Sequence, residues 1–297
     1  MPKAPGGANT NSSTLALAFC PDSQGERRRR ILFSYQLALE NHNRSRLANF
    51  PWATWTILLL TCSMWGVTAY QVAMKAGAHS FWDTLVNIFT GGENADVLIA
   101  FGAKYNPDIL AGQYWRLVTP IFLHANLLHV SINMLNFLLL GLIVEHIFGH
   151  TRFLLIYLLT GVISMVASFA FASQDVSIGA SGAIFGLVGA YSAFILAHRQ
   201  AFRYHGMTAL AWLILVIGMN LGLGFVLTGI DNYAHVGGLL SGCLLGWCFT
   251  PFYTTITLHG QPTVIDTHSL KRRWPLALLS IVLTVLSAII AIHFVGG

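Results

Sequence analysis

The chain has 297 residues, of which 55% are hydrophobic and 9% charged, with a formal net charge of +5 and a mean hydropathy of +0.64. Soluble globular chains carry about 25% charged residues, so this composition excludes a soluble enzyme and describes a polytopic membrane protein. The positive balance is accounted for by membrane topology and anionic lipid, and calls for no nucleic-acid partner.

Residues 1–30 are rich in Gly, Asn, Ser and Thr and read as a disordered tail. The apolar run Leu15–Phe19 is too short for a signal peptide, and the cluster Arg27–Arg30 follows it instead of preceding it. Residues 31–50 mix apolar and basic positions, as an interfacial helix would. A hydrocarbon core of about 30 Å needs roughly 20 apolar residues per helix. Seven stretches meet that length, near 52–74, 126–147, 152–173, 181–198, 207–228, 233–251 and 274–295. In lipid the backbone must satisfy itself, so these are expected to be helices.

The first loop, near 75–125, is long and carries apolar residues of its own, Phe81, Trp82, Leu85, Val86, Ile88 and Phe89 among them. It is expected to be a folded piece lying on the outer leaflet. With the amino terminus inside, Lys3, Arg27–Arg30, Arg44, Arg46, Arg152, Arg199, Arg203 and Lys271–Arg273 fall on the cytoplasmic side, 13 of the 16 Lys and Arg. Only Lys75, Lys104 and Arg116 fall outside, which fits the positive-inside rule. The four cysteines, Cys20, Cys62, Cys243 and Cys248, suggest no disulfide framework. The chain therefore divides into a tail (1–50), a six-helix core (51–251), a cytoplasmic linker (252–273) and one additional helix (274–297), whose end is outside.

Ionisable residues inside spans are costly and are the default functional candidates. None of the seven Asp (Asp22, Asp83, Asp96, Asp108, Asp175, Asp231, Asp266) or four Glu (Glu26, Glu40, Glu93, Glu145) falls in mid-membrane. Aspartyl proteolysis and carboxylate-coupled transport thereby lose their usual carriers. The absence of an inverted repeat counts further against a solute transporter. Zinc proteolysis needs HExxH; His146 and His150 are four apart in HIFGH, with no Glu between them, so no metal is expected.

What remains within spans is His129, Asn133, Ser181, Asn220 and His235. Ser181 opens the fourth span, and His235 lies two or three residues into the sixth. His129 and Asn133, four apart, share a face in the first turns of the second. These spans run in the same direction, so a hydroxyl, two imidazoles and an amide reach a similar shallow depth. Ala234, Gly238, Gly242 and Gly246 on the sixth span, and Gly182, Gly186 and Ala190 on the fourth, form small-residue faces that let backbones approach. Packed together, those faces set Ser181 across a narrow gap from His235. A neutral imidazole is the base that a Ser nucleophile needs. The Ser181 N–H, His129 and Asn133 are suitable donors to an oxyanion. Small residues at Gly179 and Gly182 leave room for a substrate carbonyl. With no carboxylate expected nearby, the arrangement is a dyad oriented by packing.

YWRLVTPIFLHANLLHVSINM at 114–134, GASGAIFG at 179–186 and AHVGGLLSG at 234–242 together resemble rhomboid intramembrane serine proteases, over about 75–251. The resemblance implies a six-helix rhomboid-like bundle with a membrane-associated first loop. Ser181 would be the nucleophile, His235 the base, and His129 and Asn133 the oxyanion site. It implies structural roles in the first loop for His124, Trp115 and Arg116. It implies that Phe185 stacks on His235 where the family often has Tyr. The extra span after the core resembles the six-plus-one arrangement of bacterial and secretory-pathway members. The expected function is cofactor-free endoproteolysis of single-span or polytopic membrane proteins near the outer face, in the bacterial plasma membrane. The alternative is a catalytically inactive relative that binds membrane helices.

Overall fold

The computed structural model describes residues 50–90, 94–172, 176–200, 205–226, 230–258 and 261–297. The amino-terminal tail, with the helix expected over 31–50, lies outside the described residues. The seven expected spans are all helices: α1 (Trp52–Lys75), then, after the first loop, α5 (Leu127–Phe148), α6 (His150–Phe171), α7 (Ser181–Ala197), α8 (His205–Val226), α9 (Asn232–Phe249) and α10 (Leu270–Gly296). The first loop supplies the intervening α2 (Phe81–Thr90), α3 (Ala95–Ala100) and α4 (Asn106–Leu110), followed by 3-10 turns at Tyr114–Leu117 and Thr119–Phe122. The chain has an all-α polytopic membrane fold.

Among the described residues, four of the helices, α1, α5, α6 and α10, are long and apolar enough to cross a membrane on length and composition alone. α7 has 17 residues and α9 has 18, both rich in Gly and Ala, and α7 is buried over nearly its whole length. α6 is a central pillar, with 56% of its apolar window buried, whereas α10 has 11% and lies at the periphery against α6. α8 packs more sparsely, chiefly on α7 and α9.

Local sequence sets the helix ends. Asn126 caps α5 by accepting from the His129 N–H at 2.9 Å, and Asp231 caps α9 by accepting from the Ala234 N–H at 3.0 Å. Gly149, at φ +80°, closes α5 and lets α6 begin at the next residue. Near the start of α10 the backbone leaves helical geometry at Arg273, two residues before Pro275, whose ring and missing N–H oppose a regular turn there.

The central seam lies where the small residues predicted it. α7 and α9 make the most extensive contact in the molecule. A Cβ added at Gly238 would run into the Gly182 carbonyl, and one at Gly242 into the Gly186 carbonyl. The structure adds a second partner: Cβ atoms at Gly182 and Gly186 would collide with Ser164 and Thr160 of α6. The small face of α7 therefore accommodates two helices at once. Ser164 and Thr160 return their hydroxyl protons to their own helix, at the Gly161 and Ile156 carbonyls, both at 2.7 Å.

Two features differ from the sequence expectation. Residues 252–273 are not a plain linker: β1 (Tyr253–Leu258) and β2 (Gln261–Asp266) pair antiparallel from Tyr253 with Asp266 to Leu258 with Gln261. The run YTTITL has the β-branched character that favours strands, which hydropathy alone passes over. Glu145, at the end of α5, carries a partnership that the sequence reading does not assign, and is 2% exposed. It accepts from the Ala53 N–H at 3.0 Å, the Thr54 N–H at 2.7 Å and the Thr54 hydroxyl, and pairs with His150 Nδ1. It thus satisfies the amino end of α1 from another helix.

Candidate active site

Ser181 is the first residue of α7, and His235 lies in the first turn of α9. Because the seam holds those two helices at backbone contact, the Ser181 Oγ and His235 Nε2 stand 2.9 Å apart. Phe185, one turn along α7, lies flat on the imidazole with ring centroids at 4.5 Å and planes 15° apart. His235 is 7% exposed, and its Nδ1 is buried without a protein hydrogen-bond partner. The ring is oriented by stacking and by the Ser181 hydroxyl.

The segment before Ser181 is held by backbone geometry. Gly179 has φ +115°, a conformation that L side chains rarely adopt, and its N–H donates to the Pro120 carbonyl at 2.9 Å. A Cβ there would come within 3.1 Å of His129 Nε2 and 3.9 Å of the Ser181 Oγ. Gly179 is thus the point at which the first loop, the His129 ring and the nucleophile's turn converge. The Ala180 N–H points at His124 Nε2 at 3.5 Å, and the His124 and His129 rings meet edge to face at 5.0 Å.

Of the expected oxyanion donors, His129 is brought beside Gly179 and Ser181. Asn133 is buried, and its amide donates to the His129 carbonyl at 3.0 Å, one turn back on α5. One of its two amide protons is engaged on its own helix, which leaves the second as the donor for an oxyanion. Arg116, expected to serve the first loop structurally, donates to the Ile99 and Ala103 carbonyls at 2.6 and 3.0 Å and pairs with Asp108 at 2.8 Å. Trp115 beside it is 55% exposed. The Asn220 side chain lies outside the described residues.

Asp231 is a residue of this site that the sequence reading does not assign. It stands outside the sixth span, but four residues before His235, and the capping register was its available signal. The Ser177 hydroxyl donates to the Asp231 Oδ2 at 2.7 Å, and the His235 N–H donates to the Asp231 carbonyl at 3.1 Å. The carboxylate does not bond the imidazole, so Ser181 and His235 remain a pair and not a triad.

The rhomboid domain model matches residues 111–252, which contain every residue of this site. Rhomboid protease GluP of Bacillus subtilis (strain 168) is 45% identical over 159 residues, covering 53% of this chain and 30% of that protein. RHOMBOID-like protein 4 of Arabidopsis thaliana is 31% identical over 225 residues, 72% of this chain and 57% of that protein. RHOMBOID-like protein 5 of Arabidopsis thaliana is 33% identical over 213 residues, 66% of this chain and 68% of that protein. This chain thus spans under a third of the first relative and somewhat over half of the second. With an all-α membrane fold and these matches, the chain belongs to the rhomboid family.

Proposed function

We propose that this protein is an intramembrane serine endopeptidase that cleaves transmembrane segments of other membrane proteins by a Ser181–His235 dyad. The observation that carries the reading is the 2.9 Å contact between the Ser181 Oγ and His235 Nε2, on two helices whose glycine seam leaves them little freedom to separate. With the imidazole proton on Nδ1, Nε2 accepts the Ser181 hydroxyl proton as Oγ bonds to the scissile carbonyl carbon. The carbonyl π electrons move to oxygen, and the oxyanion forms beside His129 and the Ser181 N–H. Asn133 joins them through the second proton of its amide. Each such donor is worth about 3–4 kcal/mol to the transition state. The imidazolium then returns its proton to the leaving amine as the C–N bond breaks, and water repeats the sequence on the acyl-enzyme.

The substrate segment must unwind to present its carbonyl, because a helix hides it, so segments weakened by small residues or Pro are the expected class. Among the described residues α8 packs chiefly on α7 and α9, and it is the element whose displacement would let such a segment reach Ser181. The division into a catalytic core (51–251) and an added helix (274–297) belongs to the same reading, as does an orientation with Ser181 near the outer face and the amino terminus inside. The 13-to-3 distribution of Lys and Arg supports that orientation. A bacterial plasma membrane location belongs to the same reading.

The test uses the purified full chain with a weakly helical transmembrane substrate. Ser181→Ala and His235→Ala are each expected to lower kcat by at least about 10³-fold without loss of folded protein. A fluorophosphonate probe should label wild type and not Ser181→Ala. Undiminished cleavage by either variant would reject the dyad, and a folded wild type that neither cleaves nor labels would favour an inactive helix-binding relative.

A further inference from the structure

His235 occupies the first turn of α9, close to the helix's positive end. A cation is disfavoured there, since the unsatisfied N–H groups amount to roughly half a positive charge. On the proposed mechanism, a cation is what His235 becomes when it takes the Ser181 proton. The residue that caps this helix is an aspartate, although a neutral Ser or Asn would cap it as well.

The position of that carboxylate is set from two further segments. Its Oδ1 accepts the Ala234 N–H at 3.0 Å, and its Oδ2 accepts the Ser177 hydroxyl at 2.7 Å. Ser177 is itself 5% exposed and exchanges two backbone hydrogen bonds with Lys104, at 3.0 and 3.1 Å. Lys104 is fully buried and donates its ammonium to the Ala172 carbonyl, at the end of α6, at 2.8 Å. A strap therefore runs from the first loop through the segment before Gly179 to the head of α9. It ends on a carboxylate one helical turn from His235.

We propose that Asp231 is a positioning residue of the reaction, and that its carboxylate, fixed by Ser177, offsets the field of the α9 amino terminus where the His235 imidazolium forms. This rests on the dyad reading above. Neither carboxylate oxygen reaches the imidazole as a hydrogen-bond partner, so Asp231 acts through space and through the cap. The charge serves only the protonated imidazole. Its loss should therefore lower kcat and leave substrate binding intact.

Asp231→Asn separates the two duties, because Asn caps a helix as well as Asp and carries no charge. In the full chain, Asp231→Asn should stay folded, melt only slightly earlier and keep the wild-type KM while kcat falls about tenfold, the order of a partly buried charge at a helix end. Asp231→Ala should lose the same kcat and melt earlier still, because the cap is lost as well. Wild-type kcat in Asp231→Asn overturns the proposal and leaves Asp231 a cap alone. If Asp231→Asn does not fold, Ser177→Ala decides, since it frees Oδ2 and spares the cap. A severalfold lower kcat at unchanged KM supports the proposal there, and wild-type kcat overturns it. Ser181→Ala measured alongside separates the two readings. Retained cleavage by Ser181→Ala rejects the dyad whatever Asp231 does, whereas an inactive Ser181→Ala with a fully active Asp231→Asn rejects the role of Asp231 alone.

Discussion

The two ends of the bundle are held by different physics. At one end Ser181 and His235 themselves are placed by packing: the glycine seam of α7 and α9, the positive φ of Gly179 and the stacked Phe185. At the Glu145 end, buried charges tie the helices. Glu145 gathers the first N–H groups of α1 and His150, while Arg152 donates to Asp266 at 2.7 Å and to the His268 carbonyl, joining α6 to the hairpin. Arg273 donates to the Cys248 carbonyl and ties α10 to the end of α9. His235 shows the contrast most directly: its Nε2 meets the Ser181 hydroxyl while its buried Nδ1 has no protein partner among the described residues, so packing and that one contact hold the ring, whereas Glu145 is held by hydrogen bonds to both of its oxygens.

This comparison can be broken from either side. The largest expected effect is at Glu145, where Ala would leave the α1 amino end and His150 without their shared acceptor. Removing one partner of a buried charged network costs about 3–5 kcal/mol. Thermal unfolding should show that loss, while cleavage per folded molecule stays near wild type; a large fall in kcat of the folded fraction would mean that the two ends are coupled. Next is Gly238→Leu, which forces side-chain atoms into the Gly182 backbone and should cost about 3 kcal/mol. Here activity should fall with stability, because any parting of α7 and α9 lengthens the 2.9 Å contact. Full activity in this variant would show that the seam does not set the dyad. The smallest effect is expected for Arg152→Met, which keeps the apolar stem and removes the pair with Asp266. Met leaves that carboxylate its Phe252 and His268 N–H donors at 3.2 and 3.0 Å, so the loss should be about 1–2 kcal/mol. Earlier proteolysis of the hairpin at unchanged kcat would measure it.

Much of this was legible in the chain. Hydropathy located all seven helices to within a few residues, and the four-residue rhythm of Gly and Ala identified the α7 and α9 seam. The pairing of Ser181 with His235 was legible because few polar residues lie inside the spans, and their depths could be compared by counting. Glu145 and Asp231 were not legible as structural partners. Each stands at the end of a span, where a carboxylate is unremarkable in sequence. Their roles depend on partners 92 residues away at Ala53 and 54 residues away at Ser177. The hairpin was not legible because the β-branched run that favours its strands carries no signal in hydropathy.

By itself the sequence determined the class of the molecule, the number and rough limits of its helices, and which polar residues share a depth in the membrane. These depend on local composition and on the fixed rise of a helix. Only the tertiary structure decided that the small face of α7 serves α6 as well as α9, that Asn133 is turned back onto its own helix, and that Asp231 is held one turn from His235. Those depend on which backbones touch, and contact between segments far apart in the chain is a property of the assembled bundle.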